Sequence, residues 1–368
     1  MPASCIFTYF ECLATNSPEA AGGKMFLLDI LNYTKINKIR WIPEEYVETK
    51  CFITGSWDDE VNSIKVWNFE ALHEDEEVEY PRPLSEYKVN GDVTEIKFTD
   101  KSKIAVATSD GNVKLLEISV YEKETPLKEV FSWNDLHKFG LDPCSCTALD
   151  TFEGDIASIG EEGNINILNG RRGDITRTIT GADSCSLHSV KFIKHNEVIT
   201  GNLRGHMKIW DLRSTKNKPA AAFLLAGDEQ AATCIVNHPT QPHFILAGSE
   251  SGSLAVWDLR MNAFPTSLLN AHSAGVTEMQ FHPENPHKML SCSASGEIWD
   301  WNMEAMTKST KGPDNQVTWM PLEGKSAMMV NSLMPTLHKA INTLHCDRGR
   351  ILCGADNEAI YLIKNFKY

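Results

Sequence analysis

The chain has 368 residues, 42% of them apolar and 23% charged, the ordinary profile of a globular protein with room for two domains or one large β architecture. Thirty-five basic against 49 acidic side chains give a net charge of −14, which argues against non-specific attraction to nucleic-acid phosphates and against docking on anionic lipid. No apolar run reaches the roughly 18 residues of a membrane-spanning helix.

Residues 1–24 have neither a basic head nor a clean apolar centre. They read as a poor signal peptide, and as disordered sequence or sequence upstream of a start at Met25. Ten cysteines are too few for a disulfide scaffold. Cys146, Cys234, Cys292 and Cys353 sit in apolar stretches and read as reduced, buried small hydrophobes, which places the chain in the cytosol or nucleus.

From residue 35 one pattern recurs. A Gly or Asn stands five residues before a Trp or Leu that ends a strand: Asn62–Trp67, Gly111–Leu116, Gly163–Leu168, Gly205–Trp210, Gly252–Trp257, Gly296–Trp301 and Asn357–Leu362. The end anchors are 49, 52, 42, 47, 44 and 61 residues apart. WD-type propeller repeats have a period of about 40–45 residues plus loop insertions. Gly or Asn at a tight turn supplies the positive φ that a primed hairpin demands. Asp211 and Asp258 follow their tryptophans and complete Trp-Asp strand ends.

In chain order the predicted strands are KINKIRW, FITGS and SIKVW; VTEIKF, IAVATS and VKLLEI; CTALDTF, DIASIG and INIL; HSVKFI, EVITG and MKIW; TCIVNH, FILAGS and LAVW; VTEMQFH, KMLSCS and EIWDW; INTLHC, ILCGA and AIYLI. Three strands and a variable fourth make a blade, and blades bury their faces only by stacking into a ring. The expected fold is all-β: one seven-bladed WD40-type propeller over 25–368, with insertions at 70–83 and 304–340. FLLDILNYT, just after Met25, is expected to supply the outer strand that the last blade lacks, tying the termini together. A complete buried Asp-His-Ser/Thr-Trp set appears in no blade; the sixth offers His272, Ser293 and Trp301, with Ser295 at the Asp position.

The insertion at 70–83 is acidic and reads as a solvated loop. The insertion at 304–340 carries Trp319, Met320, Met328 and Met329, residue types that suit an adaptable binding surface or fold back on the propeller. Trp57, Asp58 and Asp59, at an unusually long turn, are further candidates for protein contact.

Chemistry is sparse. His238 with His243, and His282 with His287, lie in two His-Pro-x-x-Pro-His stretches whose repeat position makes them turns rather than metal ligands. Cys144 and Cys146 lack a second cysteine pair for zinc. No phosphate loop, nucleophile elbow, HExxH or kinase signature is present. No catalytic, cofactor-binding or metal-binding residue is expected. The acidic turns at Asp58, Asp59, Asp110, Glu161, Glu162 and Glu250 read as solvated, with a basic peptide as the alternative ligand.

The repeat register resembles the WD-repeat family over some 330 residues. FITGSWDDEVNSIKVWNF, ADSCSLHSVKFI, the stretch at 267–302, CGADNEAIYLI, the KIRW strand and the late insertion are similar to the forty-three-kilodalton nucleoporins, WD-repeat components of the Y-shaped nuclear pore subcomplex. The resemblance implies a non-catalytic scaffold at the nuclear pore that binds a helical-solenoid nucleoporin in a hetero-oligomer. It also implies a role in pore assembly and nucleocytoplasmic transport, mRNA transport included, and a place at mitotic kinetochores; the charge and hydropathy add the expectation of no direct nucleic-acid binding and no membrane insertion. Two other readings stand beside it. The Trp-Asp-x-Arg boxes Trp210–Arg213 and Trp257–Arg260 resemble those with which substrate receptors of cullin-RING ubiquitin ligases dock their adaptor. A reader of basic peptides needs an aromatic cage, toward which the turns offer mainly Trp57.

Overall fold

The computed structural model describes residues 7–12, 25–31, 34–71, 79–119, 127–225, 230–260, 265, 267–303, 310–311, 317–318, 330–364 and 366. Seven antiparallel sheets follow one another along the chain. Their innermost strands are Lys35–Trp41, Val93–Phe98, Cys146–Phe152, Leu187–Lys194, Ala232–Asn237, Val276–Phe281 and Ile341–Asp347. Each innermost strand packs beside the next and the seventh beside the first, so the blades close a ring around a central channel. The fold is the seven-bladed propeller that the Gly–Trp register implies.

The second strand of each blade is a continuous apolar run because neighbouring blades cover both its faces. Phe244–Ser249 and Arg350–Ala355 are buried along their whole length. The core is accordingly divided among the seams. Seven apolar clusters occur among the described residues, one per blade junction. Trp210, Trp257 and Trp301 are almost fully buried in three of them and Trp67 in a fourth. Full burial of one such side chain is worth about 1.5–3 kcal/mol or more.

A second device joins the blades around the channel. Near the start of each innermost strand a short polar side chain donates to a backbone carbonyl of the next blade. Asn37 reaches Val93 O at 2.7 Å, Thr94 Cys146 O at 2.5 Å, Thr147 Leu187 O at 2.6 Å and Ser189 Ala232 O at 2.7 Å. Thr233 reaches Val276 O at 2.6 Å, Thr277 Ile341 O at 2.6 Å and Asn342 Ile36 O at 2.9 Å. Seven donors complete the circle, each worth about 1 kcal/mol net.

Met25–Leu31 pairs antiparallel with Ala359–Lys364, in register from Phe26 opposite Lys364 to Leu31 opposite Ala359. The seventh blade therefore takes its fourth strand from the N-terminal side, which closes the ring as expected. Phe7–Cys12, inside the segment expected to lack structure, pairs with Met25–Leu31 as a fifth strand. The rest of 1–24 lies outside the described residues. The acidic loop expected over 70–83 is narrower in the backbone. Asn62–Ala71 and Glu79–Val89 pair across it, Glu70 opposite Tyr80, because alternation continues into both flanks. In the late insertion Val330–Ser332 forms the outer strand of the sixth blade, and Leu333 and Met334 enter the cluster between the sixth and seventh. Trp319, Met320, Met328 and Met329 lie outside the described residues.

Candidate functional site on the faces and in the channel

One face of the ring carries the turns between second and third strands. Gly111, Gly163, Gly205, Gly252 and Gly296 all have φ between 74 and 89° there. At Gly252 a Cβ would press into the carbonyl oxygens of His272 and Ala274, so the position demands glycine twice over. The two Asn slots differ from expectation. The positive φ falls on Asp58 in the first blade and on Glu358 in the seventh, because these turns are built differently and side-chain hydrogen bonds hold them. Asp92 Oδ1 accepts the Asp58 N–H at 2.8 Å and the Asn62 amide at 3.0 Å. Asp58 is ion-paired with Lys35, whose ammonium lies 5.6 Å from the Trp57 ring. Trp57 is half-buried and Asp59 exposed.

Among the acidic turn residues Asp58, Asp59, Glu161 and Glu250 are exposed, whereas Glu162 is withdrawn. Glu162 is nearly buried: its Oε1 lies 2.6 Å from His137 Nδ1, and Cys144 Sγ donates to its Oε2 at 3.1 Å. Burial raises its pKa, but the His137 and Cys144 hydrogen bonds outweigh this and hold it below the ordinary value. Burial and the Glu162 carboxylate push the Cys144 thiol up to about 12, so it is no nucleophile.

Two Ser-His-Glu sets have the geometry of a catalytic triad. In the third blade His137 Nε2 lies 3.0 Å from Ser158 Oγ. In the sixth blade His272 Nε2 lies 2.7 Å from Ser291 Oγ and Nδ1 lies 3.3 Å from Glu297 Oε2. Trp301 Nε1 donates to the same Ser291 oxygen at 2.8 Å. The Trp can only donate, so the Ser291 proton is free for Nε2, and Nδ1–H faces the carboxylate. Burial lowers the His272 pKa against the pull of Glu297, which keeps the ring neutral. Ser158 and Ser291 are wholly buried, so no substrate reaches either hydroxyl. These sets are structural pins. They correct the sequence expectation on two points: the serine is Ser291 rather than Ser293, and Glu297 fills the acidic place. Position along the strand decides the first point: both serines share a face, but Ser293 lies at the turn end bonded to Ser295, and Ser291 lies beside Trp301 and His272.

The opposite face carries the His-Pro turns. His282 Nδ1 accepts the Glu284 and Asn285 N–H groups at 3.2 Å, and its Nε2 donates to Arg348 O at 2.7 Å. His238 Nδ1 accepts the N–H of Gln241 at 3.2 Å in the same manner. A nitrogen that caps a turn is not presented to a metal. Both Trp-Asp-x-Arg boxes fold on themselves: Arg213 grips Asp211 through two bonds of 3.0 Å, and Arg260 grips Asp258 at 2.6 Å.

Three exposed apolar groups escaped sequence reasoning. Tyr46, 92% exposed, tips the turn IPEEYVE, which Arg348 and Arg350 fix through Glu45 O and Thr49 O. Leu141, 96% exposed, and Phe139 tip the hairpin of Lys138–Phe139 and Asp142–Pro143 on the Trp57 face. The available signal was a bulky apolar residue inside a turn rich in Pro, Gly and acid.

In the channel, Arg40 joins four blades. Its Nη2 meets Glu95 at 2.7 Å and Glu278 at 2.6 Å, its Nη1 meets Thr343 at 3.1 Å, and its Nε donates to Ile96 O at 3.0 Å.

Comparison with known proteins agrees with this architecture. The family model described as WD domain, G-beta repeat, matches residues 264–300. Nucleoporin Nup43 of Homo sapiens is 31% identical over 366 residues, covering 90% of this chain and 96% of its own. Nucleoporin Nup43 of Mus musculus is likewise 31% identical over 368 residues, with the same coverage. Nuclear pore complex protein NUP43 of Arabidopsis thaliana is 24% identical over 262 residues, 63% of this chain and 69% of its own. Blade number, turn chemistry and full-length similarity agree, and the chain belongs to the Nup43 family of WD-repeat nucleoporins.

Proposed function

We propose that this chain is a non-catalytic scaffold propeller of the nuclear pore complex, holding a helical-solenoid nucleoporin of the Y-shaped subcomplex in a hetero-oligomer. The observation that carries the reading is similarity to Nup43 proteins along nearly the whole chain. The burial of both Ser-His-Glu sets supports the absence of catalysis. A ring pinned at every seam presents surface without rearranging, which lowers the cost of ordering on binding. The proposed contacts are Trp57, Asp58 and Asp59, the Phe139–Leu141 hairpin tip on the same face, and Trp319, Met320, Met328 and Met329 of the late insertion. Pore assembly, nucleocytoplasmic transport and kinetochore attachment are roles of the assembly that such a subunit would serve.

The test is affinity purification of the tagged full chain from nuclear extract in moderate salt, followed by mass spectrometry. Stoichiometric recovery of solenoid nucleoporins is expected. Replacing 304–329 by a short Gly-Ser linker should lower that recovery while the propeller stays folded. Recovery of a ubiquitin-ligase adaptor and cullin without nucleoporins would overturn the proposal in favour of the ligase reading.

A further inference from the structure

We propose that the central channel holds a small oxyanion of the phosphate class, seated between Lys97 and Lys191 beside Arg40. The channel encloses a cavity of about 450 Å³, within the range of about 300–1,000 Å³ common for ligand sites. Its walls are short of negative charge. Glu95 alone serves three cations: Arg40 at 2.7 Å, Lys38 at 3.6 Å and Lys97 at 3.8 Å. Glu278 is consumed by Arg40, by the Thr343 hydroxyl at 2.7 Å and by the Leu344 N–H at 3.1 Å. Asp150 is consumed by Lys191 at 2.9 Å and the Phe192 N–H at 2.8 Å. Four cations thus face three carboxylates, inside a chain whose net charge is −14.

The excess centres on Lys97. Burial depresses its pKa, Glu95 and Glu278 pull the other way, and Arg40 and Lys191 repel it. An anion between Lys97 and Lys191 would relieve that repulsion and supply the missing counter-charge. Neutral donors stand by as well. His345 lines the cavity, and its Nδ1 accepts the Trp41 N–H at 3.0 Å, so its own proton is on Nε2. Cationic and neutral donors from four blades line the cavity and suit a tetrahedral anion with several acceptor oxygens better than one carboxylate.

The experiment is calorimetric titration of the full chain with inorganic diphosphate, in a phosphate-free chloride buffer near neutral pH. Saturable binding of one anion per chain is expected. Lys97→Met should weaken it at least tenfold. Lys35→Met, which removes a lysine paired with Asp58 on the outer turns, should bind as the parent does. Glu95→Gln should bind several-fold more tightly, because the carboxylate that competes for Lys38 and Lys97 is gone. Absence of saturable binding by the parent, or equal affinities for Lys97→Met and Lys35→Met, would overturn the proposal. Should Lys97→Met not fold, Glu95→Gln decides alone: unchanged or weaker binding overturns the site.

Discussion

Two seams of the same ring are built from different chemistry. Between the fifth and sixth blades the joint is an apolar cluster containing Leu246, Val256, Met279, Phe281 and Trp301, with Thr233 donating to Val276 O. Between the seventh and first blades a cluster around Trp41, Phe52 and Leu362 is overlaid with charge. Arg40 bonds Thr343, His345 accepts the Trp41 N–H, and the Arg350 guanidinium lies 4.2 Å from the Trp41 ring. Sequence separation explains the difference. The Thr233 bond spans 43 residues and the Asn342 bond to Ile36 spans 306. At about 0.6 kcal/mol per doubling of loop length, nearly three doublings add about 1.7 kcal/mol to the closure cost. A continuous chain delivers the sixth blade to the fifth almost for nothing, whereas the seventh must find the first across the whole chain. The Arg40, His345 and Arg350 contacts stand where that cost is greatest.

The strongest way to break this comparison is Arg40→Ala. It leaves Glu95 and Glu278 buried without their shared partner, and the expected loss is about 3–5 kcal/mol in denaturant unfolding. A loss near 1 kcal/mol would mean that the closure seam is no more dependent on charge than the others.

Acidification should act next, and on the same seam. Burial lowers the His345 pKa to about 3, with Arg40 and Lys97 adding to the effect and Glu278 opposing it. The folded group stays neutral while the unfolded histidine takes a proton below about pH 6.5. The unfolded state then binds more protons, so stability falls as pH falls. Between pH 6.5 and 5 the loss from His345 alone is about 2 kcal/mol, at about 1.4 kcal/mol per unit. Glu278, held below the ordinary carboxylate value against its burial by Arg40 and the nearby lysines, contributes only below about pH 4.5. His345→Gln should make the pH 5–6.5 slope of the unfolding free energy shallower by about one proton, the remainder coming from other histidines lowered by burial, such as His188 and His272. An unchanged slope would place the titration elsewhere.

The contrast also marks what the sequence could disclose. Blade number was legible because the turn glycine is fixed by two local demands, positive φ and a carbonyl packed against its α-carbon. The closing strand was legible because FLLDIL is an apolar run with no other sheet to join. Arg40 was not legible as a junction, since its partners lie 55, 238 and 303 residues away. The buried set of the sixth blade was misread because Ser291 and Ser293 share one strand face and the acid is a glutamate: Ser293 turns to Ser295, while Ser291 meets His272 and Trp301 and Glu297 supplies the acid. Of the proposed contact residues, Trp57 was visible as an odd turn. Phe139 and Leu141 stand in a turn that carries no repeat signal, and their exposure follows from the hairpin alone.

Ser291→Ala tests the neutral seam. It strands the Trp301 N–H and one His272 nitrogen in a buried site, at an expected cost of about 1–2 kcal/mol by thermal unfolding. The fifth blade shows that the tryptophan can do without its bond. Trp257 Nε1 is buried with no partner, where Ala247 replaces the serine, and the ring packs against Phe223 with centroids 4.3 Å apart and planes tilted by 39°. Ser291→Ala should therefore leave a folded propeller. Unfolding of the whole ring would show that the pin matters more than the packing around it.

The smallest effect is the sharpest comparison, because it holds ring position constant. Thr233 and Asn342 occupy matching places in the circle of seven donors. Thr233→Val keeps the shape and removes one hydroxyl, leaving Val276 O short of that bond, and should cost about 1 kcal/mol. Asn342→Leu removes the bond to Ile36 O and also one of 2.6 Å to Asp356 Oδ1. Part of its loss should appear as slower folding, because docking of the seventh blade on the first is the long-range step. Chevron analysis of both variants separates the cases. Thr233→Val is expected to speed unfolding with folding nearly unchanged if its seam forms after the rate-limiting step, and Asn342→Leu to slow folding if closure is that step. Equal partitioning in the two variants would mean that all seams form together, and that the charge at the closure seam answers a demand of the finished ring rather than of its assembly.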